Sequence, residues 1–123
     1  MPLFHAVLWI DHHAAEALQF DADHVEVEKI HAHDHYTRQH GSGVRTEHEF
    51  FGSVCDALKG IAEVLVTGPH TAQSAFKHYV EAHRPALAKQ IAGWETVDHP
   101  SQGQLVALAR KYFVAHDRMT PKA

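Results

Sequence analysis

Cysteine is almost absent from this chain: Cys55 is the only one in 123 residues. A single thiol cannot close an internal disulfide, and it excludes the cysteine-rich zinc-finger classes. Long apolar runs are missing too. No stretch approaches the roughly 18 apolar residues that a membrane span needs. Met1-Pro2-Leu3-Phe4-His5 lacks the basic segment and apolar core of a secretory signal, so a cytoplasmic location with no membrane partner is expected. Excess positive charge is the third absence. Eleven Lys and Arg face fifteen Asp and Glu, for a formal charge of −4. That balance argues against DNA as a partner, because duplex binding rests on phosphate neutralisation; it leaves RNA contact to local basic patches.

Histidine is abundant, with 14 residues; protonating all of them would carry the formal charge from −4 to +10. The sign of the charge therefore turns on pH near the ordinary histidine range, about 6.5. With 45% apolar residues, the chain suits one domain, 1–123, around one core.

Hydrophobic periodicity predicts the elements. Residues 4–10 form a strand with Phe4, Ala6, Leu8 and Ile10 on one face and Val7 and Trp9 on the other, the mark of a central strand. Asp11-His12-His13 makes a turn, and residues 15–20 pair back as a hairpin. After a second turn at Asp21-Ala22-Asp23, residues 24–32 form a strand with Val25 and Val27 on one face and Glu26 and Glu28 on the other. Residues 33–45 lack apolar periodicity and read as a mobile His-rich loop. Thr46 and Glu49 make a capping-box pattern that opens a helix. Its stripe is Phe50, Phe51, Val54, Cys55, Leu58 and Ile61, which makes Cys55 a buried thiol. A strand at 63–67 ends at Gly68-Pro69, and a helix follows at 72–83. A short helical turn covers 86–90 and the last strand 91–97. Ser101 and Gln104 form a second capping box at the start of the final helix, and a frayed polar tail occupies 117–123. The order βββ-α-β-α-β-α implies an α/β domain with one mixed five-stranded sheet and helices packed on it. Exposed edge strands leave a homodimer by sheet extension open.

Four constellations could carry chemistry. In His31-Ala32-His33-Asp34-His35, a strand continued past Ala32 would project the imidazoles of His31, His33 and His35 from one face at about 6.5–7 Å spacing, suited to zinc or nickel. Asp11, His12, His13, Asp34, His40 and His48 are candidate further ligands. The competing reading, a solvated polar loop, is favoured because no cysteine or fixed fourth ligand preorganises the site. In Asp11-His12-His13 the carboxylate either orients an imidazole or caps a turn; a structural turn or interaction surface is preferred. Thr67-Gly68-Pro69-His70-Thr71 sits at a strand-to-helix junction, where helix N–H groups could hold an anion or RNA phosphate, with Gly68 allowing close approach and Lys77 further along. The competing reading, that Thr71 caps its own helix, is favoured because a Gly-Pro turn alone falls far short of a phosphate-binding loop. Asp98-His99-Pro100-Ser101 tempts a triad reading, but triad members meet from separate segments and Ser101 already has a capping role. Asp98 and His99 instead lie at the end of a strand, where α/β sheets bind ligands. No nucleophile–base pair, acid pair or cofactor fingerprint is found, so a non-catalytic protein is expected.

Three segments carry a resemblance: Ala6-Val7-Leu8-Trp9-Ile10-Asp11-His12-His13, Glu63-Val64-Leu65-Val66-Thr67-Gly68-Pro69, and residues 95–107, which begin Glu95-Thr96-Val97-Asp98-His99-Pro100-Ser101. The set resembles the small bacterial proteins called "translational machinery protein". These are similar to the third, C-terminal domain of archaeal and eukaryotic class-1 peptide-chain release factors and of the ribosome-rescue factor Pelota. The resemblance implies an α-β-α sandwich and a translation-associated, non-catalytic module that docks on the ribosome, RNA or a translation factor. In release factors a Gly-Gly-Gln motif of another domain carries peptide release. This chain has none, its nearest string being Gly103-Gln104. Relatives often place Gly after Gly-Pro and Lys soon after; here His70, Thr71, Ala72 and Gln73 follow, with Lys77 further on. The alternative function is a His-rich protein that binds zinc or nickel.

Overall fold

A computed structural model describes residues 4–32 and 43–119. Its elements are β1 (His5–Ile10), β2 (Ala14–Phe20), β3 (Val25–His31), α1 (Gly43–Ala57), β4 (Glu63–Gly68), α2 (His70–His83), α3 (Pro85–Ala88), β5 (Ile91–Thr96) and α4 (Gln102–Met119). The five strands form one sheet in the order β3-β2-β1-β4-β5. β1 pairs antiparallel with β2, and β2 with β3; β1, β4 and β5 run parallel. No helix among the described residues is long and apolar enough to cross a membrane.

The alternation in β1 sets the layers. Ala6, Leu8 and Ile10 join Phe51, Val54 and Leu58 of the α1 segment and Phe76 and Val80 of α2 in one core. Val7 and Trp9 join Leu105, Ala109 and Phe113 of α4 in a second core on the opposite face. The expected α-β-α sandwich with a mixed sheet is therefore the observed one. Each fully buried large side chain contributes about 1.5–3 kcal/mol of transfer free energy, so β1, buried on both faces, anchors the domain.

Both hairpins close on the same device. Asp11 Oδ1 accepts from the backbone N–H groups of His13 and Ala14, each at 2.7 Å. Asp21 Oδ1 accepts from those of Asp23 and His24 at 2.8 and 2.7 Å. These backbone bonds, followed by the His24 imidazole, hold the Asp21 carboxyl below its ordinary range. At the other edge, β5 carries an extra residue between its pairings to Val64 and Leu65. The carbonyl of that residue, Ala92, accepts from the Tyr112 hydroxyl at 2.9 Å. A side chain on Gly93 would collide with the same phenol ring, so glycine there lets α4 clamp the bulge.

Several expectations are corrected. α1 begins at Gly43, so Thr46 has helical backbone and cannot be the N-cap of the expected capping box, since a cap residue is non-helical. The loop expected at 33–45 thereby loses its last three residues to the helix, and 33–42 lie outside the described residues. α4 runs to Met119, so the tail expected from 117 is helical through 119. The Ser101–Gln104 box does form: Ser101 N–H donates to Gln104 Oε1 at 2.9 Å, and Gln104 N–H to Ser101 Oγ at 3.2 Å.

Candidate functional site

The parallel strands β1, β4 and β5 end on the same side of the sheet, and the segments that leave them build one rim. In open α/β sheets, ligands bind outside these carboxyl ends. The rim is tied together from below. The Thr67 hydroxyl, fully buried, donates to the Leu8 carbonyl at 2.9 Å. Gly68 adopts φ 131°, and a side chain there would strike the carbonyl oxygen of Ile10. The close backbone approach that this glycine permits is to β1. The Gln73 amide, 6% exposed, donates to the carbonyls of Gly68 at 2.6 Å and Glu95 at 2.7 Å. One α2 side chain therefore fastens the ends of β4 and β5.

Pro69 caps α2 with φ −62° and ψ 146° and offers no side-chain hydrogen bond. Thr71 lies inside the first turn, so the expected Thr71 cap does not form. Its hydroxyl is instead 3.2 Å from Nε2 of His12. The first helical bond runs from Gln73 N–H to the Pro69 carbonyl at 3.1 Å, so the amides of residues 70–72 precede the helical ladder and leave the positive end of the helix without a side-chain acceptor from its cap. Lys77, further along α2, places its ammonium 5.9 Å over the Trp94 ring. His70, Gln73, Ser74, Lys77, Trp94 and Thr96 line a cavity of about 280 Å³ there.

The other two segments flank this junction. His12 reaches α1 as well as α2, with Nδ1 3.7 Å from Glu47 Oε2. Past β5, the Asp98 carbonyl accepts from the Trp9 indole N–H at 2.6 Å, and His99 stacks on the Trp9 ring at 3.8 Å with 11° between the planes. The rim thus brings together Asp11, His12, Gly68, Pro69, His70, Thr71, Asp98 and His99, with Lys77 on the adjoining cavity. Trp94, Gln73 and the Trp9–His99 stack were not singled out from the sequence as parts of a site.

The expected metal constellation is only partly within view. His31 is the exposed last residue of β3, opposite Ala14, and the His13 carbonyl accepts from Ala32 N–H at 2.7 Å. The candidates His12, His13 and His31 therefore lie near one end of the β2–β3 pair. Among the described residues, no group of three His, Cys, Asp or Glu side chains could hold a metal ion. His33 and His35 lie outside the described residues.

No protein-family model matches the chain, and neither does any curated protein. Solved structures do match. Archaeoglobus fulgidus Pelota is 20% identical, with a TM-score of 0.66 over 92% of this chain and 32% of that one. The archaeal translation termination factor aRF1 is 15% identical, with a TM-score of 0.60 over 93% of this chain and 39% of that one. Dom34 of S. cerevisiae, a translation termination-like factor that interacts with Hbs1, is 9% identical, with a TM-score of 0.58 over 91% of this chain and 34% of that one. This chain has the release-factor domain-three-like fold. It spans about a third of the length of these factors.

Proposed function

We propose that this chain is a non-catalytic, translation-associated module of the cytoplasm that docks on the ribosome by its strand-end rim. The carrying observation is the fold shared with Pelota over 92% of the chain. The resemblance to the small bacterial translational machinery proteins points the same way. Of the three partner classes considered, ribosome, free RNA and translation factor, the rim favours ribosomal RNA. The open amides of α2 and the partial positive charge of its N-terminus suit a phosphate group beside His70 and Thr71. Lys77 adds a full charge, and the half-buried Trp94 ring an aromatic surface beside it. His12, His13, Asp98 and His99 supply the adjoining polar surface. Because the whole chain is net acidic, this contact is local and depends on salt. Sedimentation of the tagged chain with purified ribosomes on sucrose gradients tests the reading. The chain is expected in the ribosomal fractions at low salt and to be progressively released as salt rises. A chain that stays at the top of the gradient at low and moderate salt defeats it.

A further inference from the structure

β3 is the last strand on its side of the sheet. Seven residues of it pair with β2 without a register shift, and among the described residues no strand pairs with its outer edge. It is also the strand the helices cover least: every residue except Ile30 is exposed. Val25 and Val27 stand opposite Phe20 and Leu18, so they share the α4 face, yet they remain 45% and 41% exposed. Glu26 and Glu28 point to the α1 face. There they line an open groove of about 610 Å³ with Ser53, Asp56 and Lys59. Asp56 is bonded to Arg84 at 3.2 Å; Glu26 and Glu28 have no ion-pair partner among the described residues. A regular edge with no proline and no bulge presents a row of backbone donors and acceptors ready to pair.

The charges indicate what can pair there. A second copy of the chain added antiparallel by a two-fold axis keeps the sheet faces matched. Centred on residue 26 or 28, that arrangement sets a glutamate opposite its own copy. Centred on 27 it sets Glu26 opposite Glu28, and centred on 29 it opposes two copies of Lys29. Like charges directly opposite one another destabilise a strand pair, so these registers disfavour a second copy. We propose that the outer edge of β3 docks an extended basic segment of a partner protein, one that alternates Lys or Arg with apolar residues. The cations meet Glu26 and Glu28 over the groove, and the apolar residues cover Val25 and Val27. Main-chain bonds supply affinity, and the alternation supplies specificity. The proposal is independent of the rim, which lies at the ends of β1, β4 and β5.

The test uses the full chain and two fluorescent octapeptides, one alternating Lys with Val and one of the same charge alternating Lys with Ser. Fluorescence anisotropy is expected to show saturable binding of the Lys–Val peptide, at least tenfold tighter than the Lys–Ser peptide. Hydrogen exchange of the β3 amides is expected to slow on binding. The Glu26→Lys/Glu28→Lys variant, whose substitutions are on exposed positions, is expected to weaken binding at least tenfold while its far-UV circular dichroism is unchanged. Val27→Thr, which keeps the charge pattern, is expected to weaken it less. No saturable binding, equal affinity for both peptides, unaltered affinity in the charge-reversed variant, or unchanged β3 exchange overturns the proposal. So does a concentration-dependent dimer in sedimentation equilibrium whose formation slows exchange of the β3 amides, since the edge would then belong to a second copy.

Discussion

β1 and β3 have similar lengths, six and seven residues, and lie two positions apart in one sheet, yet they have opposite surroundings. β1 is paired on both sides and buried on both faces from Ala6 to Ile10; β3 is paired on one side and exposed at all but Ile30. The β-branched valines of β3 suit a strand at least as well as Ala6 and Leu8 of β1 do. Position in the sheet, rather than local propensity, therefore decides which strand holds the fold and which is left for contacts.

The largest expected effect contrasts the two directly. Leu8→Ala removes a fully buried side chain and should destabilise by about 2–5 kcal/mol in urea denaturation. Val27→Ala, on the exposed strand, should stay within about 0.5 kcal/mol. Comparable losses at both positions would break the comparison. Gly68→Ala sharpens it on the β1–β4 side. The positive φ and the collision with the Ile10 carbonyl should together destabilise by about 2–4 kcal/mol. Thermal unfolding at wild-type temperature would show that β1 and β4 are not held at close approach.

A smaller effect reads the core that β1 shares with α1. Burial pushes the Cys55 thiol up to about 11 from the ordinary 9.0. The folded state thus holds the proton more tightly than the unfolded one. Its contribution to stability is complete below pH 9 and is lost as pH rises toward 11. In the native protein at pH 8 the thiol should react with an alkylating reagent far more slowly than in denaturant. Equal rates would mean that the β1 side of the core is open to solvent.

The same contrast explains what could be read from the sequence. Strict alternation in residues 4–10 gave both faces of β1, and the Ser101–Gln104 box and the Asp11 turn are local devices that act within three residues. The start of α1 is not legible locally: Thr46 and Glu49 have the spacing of a capping box, whereas the helix continues back to Gly43. The neighbour that requires glycine at position 68 is Ile10, 58 positions earlier in the chain, which no local pattern reveals. The rim residues were recognisable one segment at a time. Their convergence needs the strand order, and the contacts that lock them, Trp9 to Asp98 and Gln73 to Glu95, join residues 89 and 22 positions apart. The exposure of β3 is hidden for a related reason: alternating Val and Glu describes a half-buried strand equally well, and only the strand order among the described residues and the reach of α4 decide the matter.

The proposed docking by the rim is tested most directly by titration of purified ribosomes with the fluorescently labelled chain. The wild-type chain should bind saturably, and Lys77→Glu, which reverses the charge on the cavity adjoining the rim, should bind at least tenfold more weakly with its fold intact. Absence of saturable binding by the wild-type chain, or equal affinity of the variant, would contradict the account.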